Sequence, residues 1–108
     1  MEERITAVYV MVRDSELKPE DGGRYEGPLA RQQQECFEFL KARLGEGSPM
    51  DVRVYTLRRD LLRDVERHRV GRLVVSSLDR LGSSTEEIDG MLFEFKMEGI
   101  ELLVVHEG

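Results

Sequence analysis

Leu73-Val74-Val75-Ser76-Ser77-Leu78-Asp79-Arg80-Leu81-Gly82-Ser83-Ser84 is the stretch from which the rest of the chain can be read. Three consecutive apolar residues make a short buried strand, a polar turn follows, and an amphipathic helix begins at once. Ser84 with Glu87 three residues on fits a capping box, in which hydroxyl and carboxylate satisfy the backbone N–H groups that a first helical turn leaves unpaired. Ile88, Met91, Leu92 and Phe95 then recur at i, i+3, i+4 and i+7 as one buried stripe, and Gly99 supplies the stop. Side chains just past the carboxyl end of a strand line the crevice where open α/β sheets bind ligands, so Asp79 and Arg80 stand where a site would be.

Outward from this unit the same alternation repeats. Thr6 to Val12 reads as a strand covered on both faces and Val52 to Thr56 as a second, with Val52 and Val54 inward and Arg53 and Tyr55 outward. Arg72 to Ser76 and Ile100 to Val105 complete the set. Leu29, Cys36, Phe37, Leu40 and Leu44 define a helix closed by Gly45, and Leu57, Leu61, Leu62 and Val65 define another that ends near Gly71. Arg58, Arg59, Arg63, Arg67 and Arg69 follow its other face, but Asp60, Asp64 and Glu66 are interleaved among them, the pattern of a solvated face with local ion pairs. Between the first strand and the first helix, Arg13 to Pro28 is a long polar loop. Strands joined by helices must be parallel with right-handed crossovers. The expected fold is therefore α/β, a mostly parallel open sheet of about four strands with helices on both faces. A sheet order of 2-1-3-4 puts the switch point between the first and third strands, bringing Arg13, Asp14 and Ser15 beside Asp79 and Arg80.

Composition bounds the function. With 108 residues the chain is expected to be one domain, and no apolar run approaches the ~20 residues of a membrane span. The start, Met-Glu-Glu-Arg, lacks a signal peptide's basic and apolar regions, which implies the cytoplasm, and the lone Cys36 agrees with a reducing compartment. Cys36 itself reads as a small core residue. A formal net charge of -6 argues against strong DNA binding by this domain alone. The two histidines, His68 and His106, lack partners at metal-ligand spacing, and no glycine-rich phosphate loop follows a strand, so neither metal nor cofactor is expected.

Tyr9-Val10-Met11-Val12, Leu29-Ala30-Arg31-Gln32 and Val74 through Gly82, with the helix to Gly99, resemble the catalytic domain of the serine recombinases, the resolvase and invertase family. Leu78-Asp79-Arg80-Leu81-Gly82 is the most specific piece. The resemblance implies a mostly parallel α/β fold and DNA strand exchange through a phosphoserine link. That chemistry needs a serine to attack a phosphodiester and arginines to neutralise charge on the phosphoryl oxygens. The family's first strand ends Tyr-x-Arg-Val-Ser, and its arginine and serine positions read Met11 and Arg13 here. Its Asp-Arg-x-x-Arg loop reads Asp79-Arg80-Leu81-Gly82-Ser83, so the last arginine is replaced as well. Asp79 and Arg80 survive as catalytic positions; Gln32 matches a glutamine near the family's site, and Arg58 or Arg59 matches an arginine opening the next helix.

Arg13, Arg80, Gln32 and Arg58 are thus the phosphate-binding candidates. Arg13 either holds a phosphate or pairs with Asp14 or Asp79, and the local alternative for Asp79 and Arg80 is an ion pair that holds the turn. Ser15 is the remaining catalytic candidate. It lies two residues past the nucleophile's position, up to ~7 Å along an extended chain, so its use needs a rebuilt turn; a plain loop residue is the simpler reading. The family's long dimer-forming, DNA-gripping helix and its DNA-binding domain would follow Gly108, and neither is expected here. The implied protein is a recombinase-like domain without catalysis, a monomer or weak dimer whose DNA binding is weak. The alternatives are an α/β partner-binding module and an active enzyme using Ser15.

Overall fold

The structure, a computed structural model, describes residues 4–45 and 51–107; the readings of Met1-Glu2-Glu3, Glu46-Gly47 and Gly108 fall outside them. Four strands, β1 (Ile5–Tyr9), β2 (Val52–Tyr55), β3 (Val70–Val75) and β4 (Glu101–Val104), form one parallel sheet in the order β2-β1-β3-β4. Three helices connect them: α1 (Glu26–Leu44), α2 (Arg58–Glu66) and α3 (Thr85–Met97). The expected fold class and strand order are those observed.

Each face of the sheet has its own core. Ala7, Tyr9, Leu73 and Val75 meet Leu61 and Val65 of α2 and Met91 and Phe95 of α3 on one side. Val8, Val10 and Val74 meet Cys36 and Leu40 of α1 on the other. Coverage of both faces corrects the reading of β2: Tyr55 points into the α2–α3 core instead of outward, Val54 packs on the α1 side, and Val52 is exposed. The Tyr55 hydroxyl donates to Asp64 Oδ2 at 2.5 Å, and burial with that carboxylate beside it pushes the phenol up to about 12. Burial likewise raises the Cys36 thiol to about 11, with Glu35 adding to the effect, so it is a core group without thiolate character.

Several boundaries shift for local reasons. Helix α1 starts at Glu26, before Gly27-Pro28, because a first turn has unpaired N–H groups and tolerates proline there. Leu44, expected on its buried face, is exposed. The loop from Arg13 to Pro28 contains two 3₁₀ turns, Asp14–Glu16 and Pro19–Asp21. Gly71 does not stop α2. His68 makes that turn with a φ of 59°, and Gly71 is the unmatched residue where pairing passes from Ile5↔Val70 to Thr6↔Arg72. At α3 the Ser84 hydroxyl accepts from Glu87 N–H at 3.2 Å as expected, but the Glu87 carboxylate turns to Arg58. Gly99, at φ 71°, ends α3, with Ile100 N–H bonding back to Phe95 O at 2.9 Å.

Candidate active site

The carboxyl ends of β1 and β3 lie side by side, and the segments leaving them build one crevice against the start of α1. Gln32, buried on α1, holds the β1 exit by its backbone. Its Oε1 accepts from Met11 N–H at 3.0 Å, and its Nε2 donates to Met11 O at 2.9 Å. Both polar groups of Met11 are thereby satisfied where the strand has already left the ladder. Gln32 acts here on protein backbone.

Arg80 leaves the 3₁₀ turn Leu78–Arg80 and crosses to the β1 side. Its Nη1 and Nη2 donate to Glu16 Oε1 and Oε2 at 2.5 and 2.7 Å, a two-pronged fork, and its Nε donates to Ser76 Oγ at 3.3 Å. The Arg80 side chain is only 14% exposed and that of Glu16 33%. The guanidinium's hydrogen bonds hold the Glu16 carboxyl below the usual range, and Glu16 in turn raises Arg80. The local alternative for Asp79 and Arg80, an ion pair between these two neighbours, is not formed among the described residues. A carboxylate 64 residues away takes the guanidinium instead.

Arg13, at the position the resemblance assigns to the nucleophile, is a strut. Its Nη2 donates to Asp79 O at 2.6 Å and Gly82 O at 3.2 Å, tying the β1 exit to the β3 turn, while Nη1 lies 3.6 Å from Asp79 Oδ2. Asp79 is therefore the partner of Arg13, and it also accepts from the Ser77 hydroxyl. Ser15 is exposed in the Asp14–Glu16 turn. Arg58, the fourth phosphate-binding candidate, pairs with Glu87, which also takes the Ser83 hydroxyl at 3.4 Å. The Arg58 Nε–H is buried without a hydrogen-bond partner among the described residues. Arg58 and Arg13 both bear electrostatically on Tyr9, but burial outweighs them and raises its phenol.

A cleft of about 310 Å³ opens beside the Arg80–Glu16 fork, lined also by Val12, Arg31, Gln32, Glu35, Ser76 and His106. His106 meets Glu35 at 2.5 Å along its wall. Of the candidates, Gln32 and Arg80 line this cleft; Arg13 and Asp79 meet each other next to Arg80 without lining it, and Arg58 does not line it either. The residue that sequence reasoning missed is Glu16. Its only local signal is the spacing Arg13-Asp14-Ser15-Glu16, which lets its carboxylate accept from Arg13 N–H at 3.1 Å; nothing local announces Arg80. No group of three or more His, Cys, Asp or Glu among the described residues could hold a metal, and no helix among them is long and apolar enough to cross a membrane.

The chain is similar to a serine recombinase from Sulfolobus solfataricus, at 19% identity over 98% of this chain and 71% of that one, with a TM-score of 0.62. It is also similar to the C-terminal catalytic domain of ISC1926 TnpA, an IS607-like serine recombinase: 17% identity, 95% of this chain, 70% of that one, and a TM-score of 0.67. No curated protein matches it. The family model described as the resolvase N terminal domain matches residues 9–108. A match of that extent, on a parallel sheet of this order, makes the chain a member of the resolvase N-terminal domain family, the catalytic-domain family of the serine recombinases.

Proposed function

We propose that this domain acts in DNA recombination as a binding or regulatory relative of the serine recombinases and does not itself cut DNA. The observation that carries the reading is the fork of Glu16 on Arg80, the one arginine of the family's Asp-Arg turn that this chain retains. A planar guanidinium offers its paired N–H groups to one carboxylate or one phosphate at a time, so the internal carboxylate holds the place a phosphoryl group would need. Arg13 is spent on the carbonyls of Asp79 and Gly82, and Arg58 is paired with Glu87. Loss of a single transition-state donor costs about 3 kcal/mol, and loss of the nucleophile removes the covalent route altogether. DNA contact by this domain is weak for the same reason, since its charge of -6 opposes phosphate.

The test is to incubate the protein with supercoiled and nicked DNA carrying recombination sites, denature, and look for protein-linked strands. None is expected. A linked product that vanishes in Ser15→Ala would overturn the reading and establish Ser15 as a displaced nucleophile.

A further inference from the structure

Helices α2 and α3 lie side by side on the same face of the sheet, and their contacts fix their relative height. Arg58 meets Glu87 at one end and His68 meets Glu98 at 2.6 Å at the other, so the helices run parallel, turn for turn. Their outer crests differ in character. On α2 the residues opposite buried Leu61 and Val65 are Arg59, Arg63 and Arg67, spaced four apart and all exposed. Asp60 reaches Arg63 at 3.4 Å, and Arg59 and Arg67 have no ion pair among the described residues. On α3 the residues opposite buried Met91 and Phe95 are Glu86, Gly90, Phe93 and Met97, flanked by exposed Asp89 and Glu94. Phe93 is 66% exposed and Met97 71%, and a Cβ at Gly90 would meet nothing within 4 Å, so the helix carries an apolar ridge beside an open notch. One face thus holds a cationic crest next to an apolar crest flanked by Asp89 and Glu94 and, in its last turn, by the exposed Lys96.

We propose that this face pairs two copies of the chain, with α2 of each lying along α3 of the other. A contact between identical surfaces must be self-complementary, and a two-fold axis running between the helices and parallel to them exchanges α2 for α3. Because the helices are level, that rotation brings Arg59 to the height of Glu86 and Asp89. Arg63 comes over Phe93, whose ring face attracts a guanidinium, and Arg67 comes beside Met97 and Glu94. Phosphate is the poorer occupant of the arginine crest, since the acidic flank of α3 lies on the same face and repels a polyanion.

Sedimentation of the intact chain over rising concentration tests this. The expected result is a mass that climbs from one chain toward two, with association weakened by added salt and at least about tenfold weaker in Phe93→Ser. Arg59→Glu and Asp89→Arg chains should each stay single, with circular dichroism confirming the fold, and mixing them should restore pairing because the mixed pair regains opposite charges at both contacts. A parent chain that remains single throughout overturns the proposal. So does pairing that persists in both Arg59→Glu and Phe93→Ser, or a single chain that binds duplex DNA through Arg59 and Arg63.

Discussion

The two strand ends that form the crevice are held in opposite ways. Past β3 the turn is anchored by a buried side chain, Leu81, packed in the α2–α3 core, and the following helix is capped three residues later by Ser84. Past β1 the chain is anchored through polar groups: Gln32 on the Met11 backbone, Arg13 on the Asp79 and Gly82 carbonyls, Glu16 on Arg80. An apolar anchor keeps a turn in place whatever chemistry surrounds it, so the Asp-Arg turn survives as architecture. The polar anchors engage the groups that, on the proposed reading, a phosphoryl-transfer site would require, so the β1 side of the crevice is held by hydrogen bonds and ion pairs instead of by packing.

This contrast predicts the largest effect at the apolar anchor. Leu81→Ala should cost about 2–5 kcal/mol in urea unfolding, through lost burial and an unfilled cavity. Met11→Ala, at the partly buried β1 exit, should cost about 1 kcal/mol. Equal losses would break the comparison. Gln32→Ala comes next, at about 2 kcal/mol, because it removes two hydrogen bonds and leaves the Met11 N–H and C=O to compete for water near a buried position.

The Glu16–Arg80 fork should show coupling of about 1–2 kcal/mol in a double-mutant cycle of Glu16→Gln and Arg80→Met. Its pH dependence has a definite sign. The folded chain holds Glu16 below the ordinary glutamate value of 4.5, so the pair contributes in full above that value and is lost as pH falls through the lower folded one. Unfolding followed across that acid range should fall less steeply in Glu16→Gln than in the parent. The same variant should bind inorganic phosphate more tightly by NMR titration, since Arg80 is then free of a carboxylate. Unchanged phosphate binding would mean that the fork does not close the site.

The contrast also explains what could be read from the chain. The β3–α3 unit was legible because its determinants are neighbours: the apolar run, the Ser84 cap and the stripe to Phe95 lie within one stretch of sequence, and parallel order then follows from the alternation of elements. Gln32 was placed near the crevice by the resemblance alone, and the meeting of Arg13 with Asp79 and Arg80 there was legible from topology. Their partners were not. Glu16 meets Arg80 across 64 residues and Arg13 meets the Gly82 carbonyl across 69, and backbone carbonyls carry no sequence identity at all. Tyr55 was misplaced for a related reason, since alternation along a strand loses its meaning when helices cover both faces.

The smallest expected effect tests whether the capping at α3 is as local as its sequence pattern. In a full capping box the Ser84 hydroxyl and the Glu87 carboxylate support each other, and loss of either weakens the same helix end. Here Ser84 Oγ accepts from Glu87 N–H, while the Glu87 carboxylate serves Arg58 and Ser83. The two side chains therefore do separate jobs. Ser84→Ala should cost about 1 kcal/mol, the ordinary value of an N-cap hydroxyl. Glu87→Gln should leave the cap intact and act through Arg58, whose guanidinium loses its charged partner. In the double variant the two losses should add to within about 0.5 kcal/mol, because no hydrogen bond joins the two side chains. A larger coupling in urea unfolding would mean that the carboxylate reaches back to the cap in solution, and that the helix start competes with Arg58 for Glu87.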